Sequence, residues 1–103
     1  MANYVLTYYA EPTFASAEEG AAYQAKWRAW VADIGDAFVN PGTPFSRTMR
    51  VSPAGVAETD GAHRLTGFSI LAAESLDAAV AVAQRCPHLE HGTIDVAEAM
   101  DHM

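Results

Sequence analysis

The chain has 103 residues, half of them hydrophobic, with a net charge of −7 and one cysteine. That length fits one domain over 1–103, and a chain this long buries roughly 65% of its unfolded surface without needing disulfides. Only six Lys and Arg stand against 13 Asp and Glu; phosphate backbones and anionic membranes are repelled, so neither is an expected partner, and a single Cys excludes an internal disulfide framework and fits a reducing compartment.

The opening "MANYVLTYYAEPTF" lacks a basic region and a long apolar run, so it reads as a first strand and not as a signal peptide. No window approaches 18 uninterrupted apolar residues. The cytoplasm is the expected location. The β-branched and aromatic run "NYVLTYY" (3–9) predicts strand one, apolar on both faces. Ser16 followed by Glu19 is a capping-box pattern. Tyr23, Trp27, Trp30, Ile34 and Phe38 then recur at helical spacing, predicting a helix over 16–38. "VNPGTP" (39–44) ends it. "FSRTMRV" (45–51) alternates and predicts strand two, with Arg47 interrupting its apolar face. "SPAG" (52–55) is a turn, followed by a loop through "ETDGAH". "RLTGFSILAA" (64–73) predicts strand three. Ser75 caps a second helix over 75–86, which Pro87 stops, and "GTIDVAEA" (92–99) predicts strand four. The closing "MDHM" is expected to fray.

The resulting order, β-α-β-β-α-β, predicts an α+β ferredoxin-like fold: an antiparallel four-stranded sheet with two helices on one face. Its uncovered face, together with a charged fraction of only 18% against a usual ~25%, predicts a homodimer through the open sheet.

Three groups of residues are candidates for chemistry. In "AQRCPHLEHG" (83–92), Cys86, His88 and His91 fall within six residues. The spacing C-x-H-x-x-H is not a familiar zinc pattern, so the reading preferred over a metal site is a buried Cys at a helix end followed by loop histidines. A Cys/His nucleophile is disfavoured there, because the negative end of a helix dipole raises a thiol's pKa. Asp60 and His63 are close in sequence at the start of strand three and form a candidate acid/base pair, with His88 as a further proton carrier. Tyr8, Trp27, Trp30, Phe45 and Phe68 are candidate walls of an apolar ligand pocket. Arg47 is a candidate for a ligand's acid group, or else for an ion pair at a sheet edge or interface. No glycine-rich phosphate loop is present, and no cofactor or metal is expected.

"TGFSIL", "ESLDAAVAVA", "CP" and "GTIDV", in this order and at these spacings, together with "WRAW" and "NPGTPF", resemble the YCII-related (YciI-like) domain family, in particular its small members related to the DGPF-domain proteins. The resemblance covers almost the whole chain. It implies a dimeric α/β barrel and kinship with small lactone isomerases and dehalogenases of aromatic catabolism. The implied function is an isomerase, lyase or dehalogenase acting on a small organic acid or lactone; the alternative is a non-catalytic ligand-binding or regulatory domain working through protein contact. Some members carry a catalytic His on helix one. Here the comparable stretch "QAKWRAW" has none, and "TDGAHRL" keeps Asp60 and Gly61 without the following Pro-Phe.

Overall fold

A computed structural model describes residues 1–100; the expected fraying of the C-terminal end falls, from position 101 onward, outside the described residues. Strand β1 (Ala2–Tyr9) leads into helix α1 (Ala17–Ile34), a 3-10 turn (Gly35–Ala37) and the short strand β2 (Phe38–Asn40). Strands β3 (Met49–Ser52) and β4 (Gly55–Glu58) form a hairpin. A second 3-10 turn (Gly61–His63) precedes β5 (Leu65–Ala73), then α2 (Leu76–Ala83), a third 3-10 turn (Pro87–Glu90) and β6 (Thr93–Glu98).

The main sheet runs β2-β5-β1-β6, and every pairing in it is antiparallel. This is the strand order of a ferredoxin-like β-α-β-β-α-β fold, with the β3-β4 hairpin inserted between the second and third sheet strands. Alternation divides the central strands cleanly. Tyr4, Leu6 and Tyr8 of β1 and Ser69, Leu71 and Ala73 of β5 are buried. They share one core with Trp30 of α1 and with Ala79 and Ala83 of α2, so both helices lie against that face. The Trp30 indole N–H donates to the Val82 carbonyl at 3.2 Å and ties the helices together. The residues pointing the other way, among them Val5, Thr7, Tyr9, Ile70 and Ala72, are half-buried.

Both helix starts follow from their capping serines. Ser16 Oγ accepts from the Glu19 N–H at 3.1 Å, and Ser75 Oγ from the Ala78 N–H at 3.1 Å, each satisfying a donor the helix leaves unpaired. The ends differ from the expectation. Helix α1 stops at Ile34, four residues early, because Gly35 takes a positive φ of 61° and its N–H returns to the Val31 carbonyl. Phe38 keeps its place in the core but reaches it as a strand residue paired with Leu71. Helix α2 ends at Ala83 and not at Cys86, which opens the following 3-10 turn.

The second sheet strand also differs from the expected 45–51. It is the three residues Phe38–Asn40, ended by Pro41, which has no N–H to give the ladder. The edge resumes at a Pro44–Gly67 bridge and a Phe45 N–H to Thr66 carbonyl bond. The alternation read over 45–51 belongs instead to the hairpin, where Val51 faces Val56 and Met49 faces Glu58. The segment after the turn, expected as a loop, supplies β4. A period of two marks a strand but does not say which sheet it joins.

Candidate functional site

A cavity of about 360 Å³ opens between α1, the Pro41–Pro44 segment and the strands behind it. That volume lies in the range of small-molecule sites. Tyr8, Tyr23, Trp27, Val31, Phe68 and His88 border it, together with Pro12, Gln24, the Pro41–Pro44 turn, Thr66 and Gly67.

The Pro41–Pro44 wall is held close to β5 by two glycines. Gly42 has a φ of 85°, and a Cβ there would lie 1.6 Å from the Phe68 carbonyl oxygen. At Gly67 a Cβ would come within 3.1 Å of the Thr43 carbonyl oxygen. Asn40 Oδ1 accepts from the Gly42 N–H at 2.8 Å and fixes the bend.

Tyr8 forms the floor. Its hydroxyl donates to Ser69 Oγ at 2.8 Å, and Ser69 donates onward to the Pro41 carbonyl at 2.7 Å. The Trp27 ring meets Tyr8 edge to face, with centroids 5.3 Å apart. Burial pushes the Tyr8 hydroxyl well above its ordinary pKa, partly offset by its bond to Ser69. It stays a neutral phenol.

His88 is 2% exposed. Its Nε2 lies 2.6 Å from the Tyr9 carbonyl oxygen. A carbonyl only accepts, so Nε2 carries the proton and neutral His88 keeps its lone pair at Nδ1. Burial lowers the His88 pKa, the Tyr9 carbonyl partly restores it, and His91 lowers it again. Gly92 allows the contact: a Cβ there would sit 1.9 Å from the Tyr9 oxygen and 2.9 Å from His88 Nε2.

Tyr23 is 8% exposed, and its hydroxyl is buried without a hydrogen-bond partner. Burial raises its pKa; the neighbouring Trp27 side chain offsets this in part without reaching hydrogen-bond geometry. Its ring packs edge-on to His91, with centroids 4.9 Å apart.

The structure thus brings Tyr8, Trp27, Phe68 and His88 to one cavity. Trp30 lies one turn along α1, its ring perpendicular to that of Trp27 and packed into the core. Phe45 stacks on Phe68 at 6.0 Å. Asp60 and His63 are exposed, flanking and ending the 3-10 turn before β5. Arg47 makes a two-pronged ion pair with Glu58 across the hairpin stem, at 3.0 and 3.1 Å, with both side chains exposed. Cys86 is buried in the core, and burial pushes its thiol up to about 12, against the small lowering from the His88 N–H. It is a poor nucleophile at neutral pH. Among the described residues no three His, Cys, Asp or Glu side chains are grouped as a metal site requires.

Tyr23, Ser69, Gly92 and the Pro41–Pro44 wall were not singled out from the sequence as site residues. Ser69 had a signal: it is the one hydroxyl in the alternating series Gly67, Ser69, Leu71, Ala73. Tyr23 and the wall had none, since their roles depend on tertiary placement.

No family model and no curated protein matches the chain. Among solved structures, it is similar to 5-chloro-2-hydroxyhydroquinone dehydrochlorinase from Burkholderia phenoliruptrix, determined in complex with 2,5-dihydroxybenzoquinone. The two are 19% identical, the match covers 98% of this chain and 95% of the other, and the TM-score is 0.57. The likeness is one of fold. No helix of the described residues is long and apolar enough to cross a membrane.

Proposed function

We propose that this protein is a small enzyme of the YCII-related type that binds one substituted ring compound in the cavity beside Tyr8 and Trp27 and uses His88 as its base. The observation that carries the reading is the His88–Tyr9 contact at the wall of an apolar cavity. The contact fixes the tautomer, burial keeps the ring neutral, and Nδ1 is left able to take a proton. Proton removal from a ring carbon or hydroxyl begins both an isomerisation and the expulsion of a leaving group such as halide. The dehydrochlorinase sharing this fold acts on a chlorinated hydroquinone, which gives the reaction type some support. The exposed Asp60 and His63 have no comparable enclosure, so His88 is the preferred base.

A cavity of about 360 Å³ has ample room for one ring, since about 150 Å³ suffices for benzene. Tyr8 and Trp27 offer an aromatic ring both edges and faces. We further propose that the protein works in the cytoplasm as a homodimer joined through the sheet face opposite the helices, where Val5, Tyr9, Ile70 and Ala72 lie.

The test is incubation with 5-chloro-2-hydroxyhydroquinone, following chloride release and tryptophan fluorescence. Binding that quenches a signal absent from Trp27→Phe, with turnover lost in a folded His88→Gln variant, is the expected outcome. Turnover unchanged in His88→Gln removes His88 from the chemistry. Binding without turnover favours the non-catalytic ligand-binding alternative.

A further inference from the structure

The cavity is defined as much by the charge it lacks as by its aromatic walls. None of the chain's six Lys and Arg borders it. Lys26, Arg47, Arg64 and Arg85 are held in ion pairs with Glu90, Glu58, Glu11 and Asp33. Arg64, the most enclosed of them, also donates to the Phe45 carbonyl at 2.7 Å. Arg28 and Arg50 are exposed, and neither is among the residues that border the cavity. Among the described residues the one basic group on the wall is His88, whose burial opposes a positive charge. A net charge of −7 adds a general repulsion of anions. A carboxylate entering this space would lose its water and meet no cation, and burying an unpaired charge is far more costly than burying a neutral polar group.

We infer that the cavity selects uncharged ring compounds over anionic ones of the same shape. This rests on the proposed reading of the cavity as a ligand site, and it narrows the substrate class. A phenol, quinone, lactone or amide fits, and an aromatic or aliphatic acid does not.

The experiment compares benzamide with benzoate, a pair of similar size and shape that differs in charge, by calorimetric titration near pH 7.5. Benzamide is expected to bind at least about tenfold more tightly. Benzoate binding as tightly as benzamide overturns the charge selection and leaves the ligand site intact. If neither probe shows saturable binding, the ligand-site reading itself fails and this inference falls with it.

Discussion

The Nε2 of His88 donates to the carbonyl of Tyr9 at 2.6 Å, joining residues 79 positions apart. One bond thereby fastens the 3-10 turn after α2 to the end of the central strand and fixes which imidazole nitrogen is free. The same turn places Cys86 and Pro87 in the interior. The last large turn of the chain is therefore part of the core, although its sequence, with two histidines and a glutamate in five residues, looks like surface.

Burial makes stability depend on pH at this residue. The folded His88 pKa is lowered below its ordinary 6.5, mainly by burial. Between those two values the unfolded chain binds a proton that the folded one does not, so stability is complete above about pH 6.5 and declines as pH falls through the folded value. Denaturant midpoints measured between pH 8 and 4.5 should show this decline, and it should shrink in His88→Gln. An identical pH slope in both proteins rules out His88 as its source.

The opposite sign applies to Cys86. Its folded pKa is raised to about 12 from an ordinary 9, so its contribution is complete below about pH 9 and is lost as pH rises toward 12. Cys86→Ala should therefore flatten the alkaline limb of the stability profile while lowering stability at neutral pH by roughly 1 kcal/mol through lost packing. Alkaline curves that superimpose would contradict this.

Gly92 is predicted to tolerate no side chain. A Cβ there would overlap the Tyr9 carbonyl and crowd His88 Nε2, so the bond between them cannot survive in place. Gly92→Ala should cost about 2–4 kcal/mol. Gly35→Ala is the control: unlike Gly92 it has a positive φ, at 61°, and a Cβ there would meet nothing within 4 Å. Only the backbone is penalised there, because φ 61° with ψ −129° is a sparsely populated conformation for an L-residue, at about 1–3 kcal/mol. Urea melts that rank Gly35→Ala as the more damaging change would remove the argument for close approach.

How far the sequence reveals this molecule depends on whether a residue's role is local. The helix starts were legible because a capping serine acts within three residues of itself, and Ser16 and Ser75 do so. The sheet strands carrying Tyr8 and Phe68 were legible from their density of β-branched and aromatic side chains. The short strand β2 was not, because three residues ahead of a proline carry too little pattern. Arg47 reads as an anomaly in a sheet strand but becomes an ordinary exposed ion pair once 49–58 is a hairpin. His88 and Tyr23 show the limit most clearly. A loop histidine and a helix-stripe tyrosine become a tethered imidazole and an unpaired hydroxyl only when distant chain segments fold around them.

Ser69 should stabilise the cavity wall through its two bonds. It accepts from Tyr8 and donates to Pro41, so Ser69→Ala leaves a buried phenol and a carbonyl unpaired at once. The expected loss is about 2–4 kcal/mol. Tyr8→Phe removes the donor and spares the Ser69–Pro41 bond, for about 1 kcal/mol. Because the two changes break the same bond, the double variant should lose less than the sum of the two. Strict additivity in denaturant melts would mean that the residues act separately.

The proposed dimer makes the most direct prediction. Ile70 pairs with Val5 on the sheet face away from the helices, and both are half-buried although neither helix packs on that face. Native mass spectrometry should find two copies of the chain. In a sheet-to-sheet dimer with two-fold symmetry, Ile70→Lys introduces a charge from each copy into one apolar layer, which is strongly unfavourable without partners. The variant should therefore appear as a monomer at concentrations where the unaltered protein is dimeric. In an isolated subunit the lysine stem could lie along the sheet with its ammonium in water, at a cost of roughly 1 kcal/mol or less, so the monomer should keep its secondary structure by circular dichroism. An Ile70→Lys protein that stays dimeric would place the contact elsewhere on the molecule. An unaltered protein that is already monomeric would leave the open sheet face exposed and remove the barrel arrangement altogether.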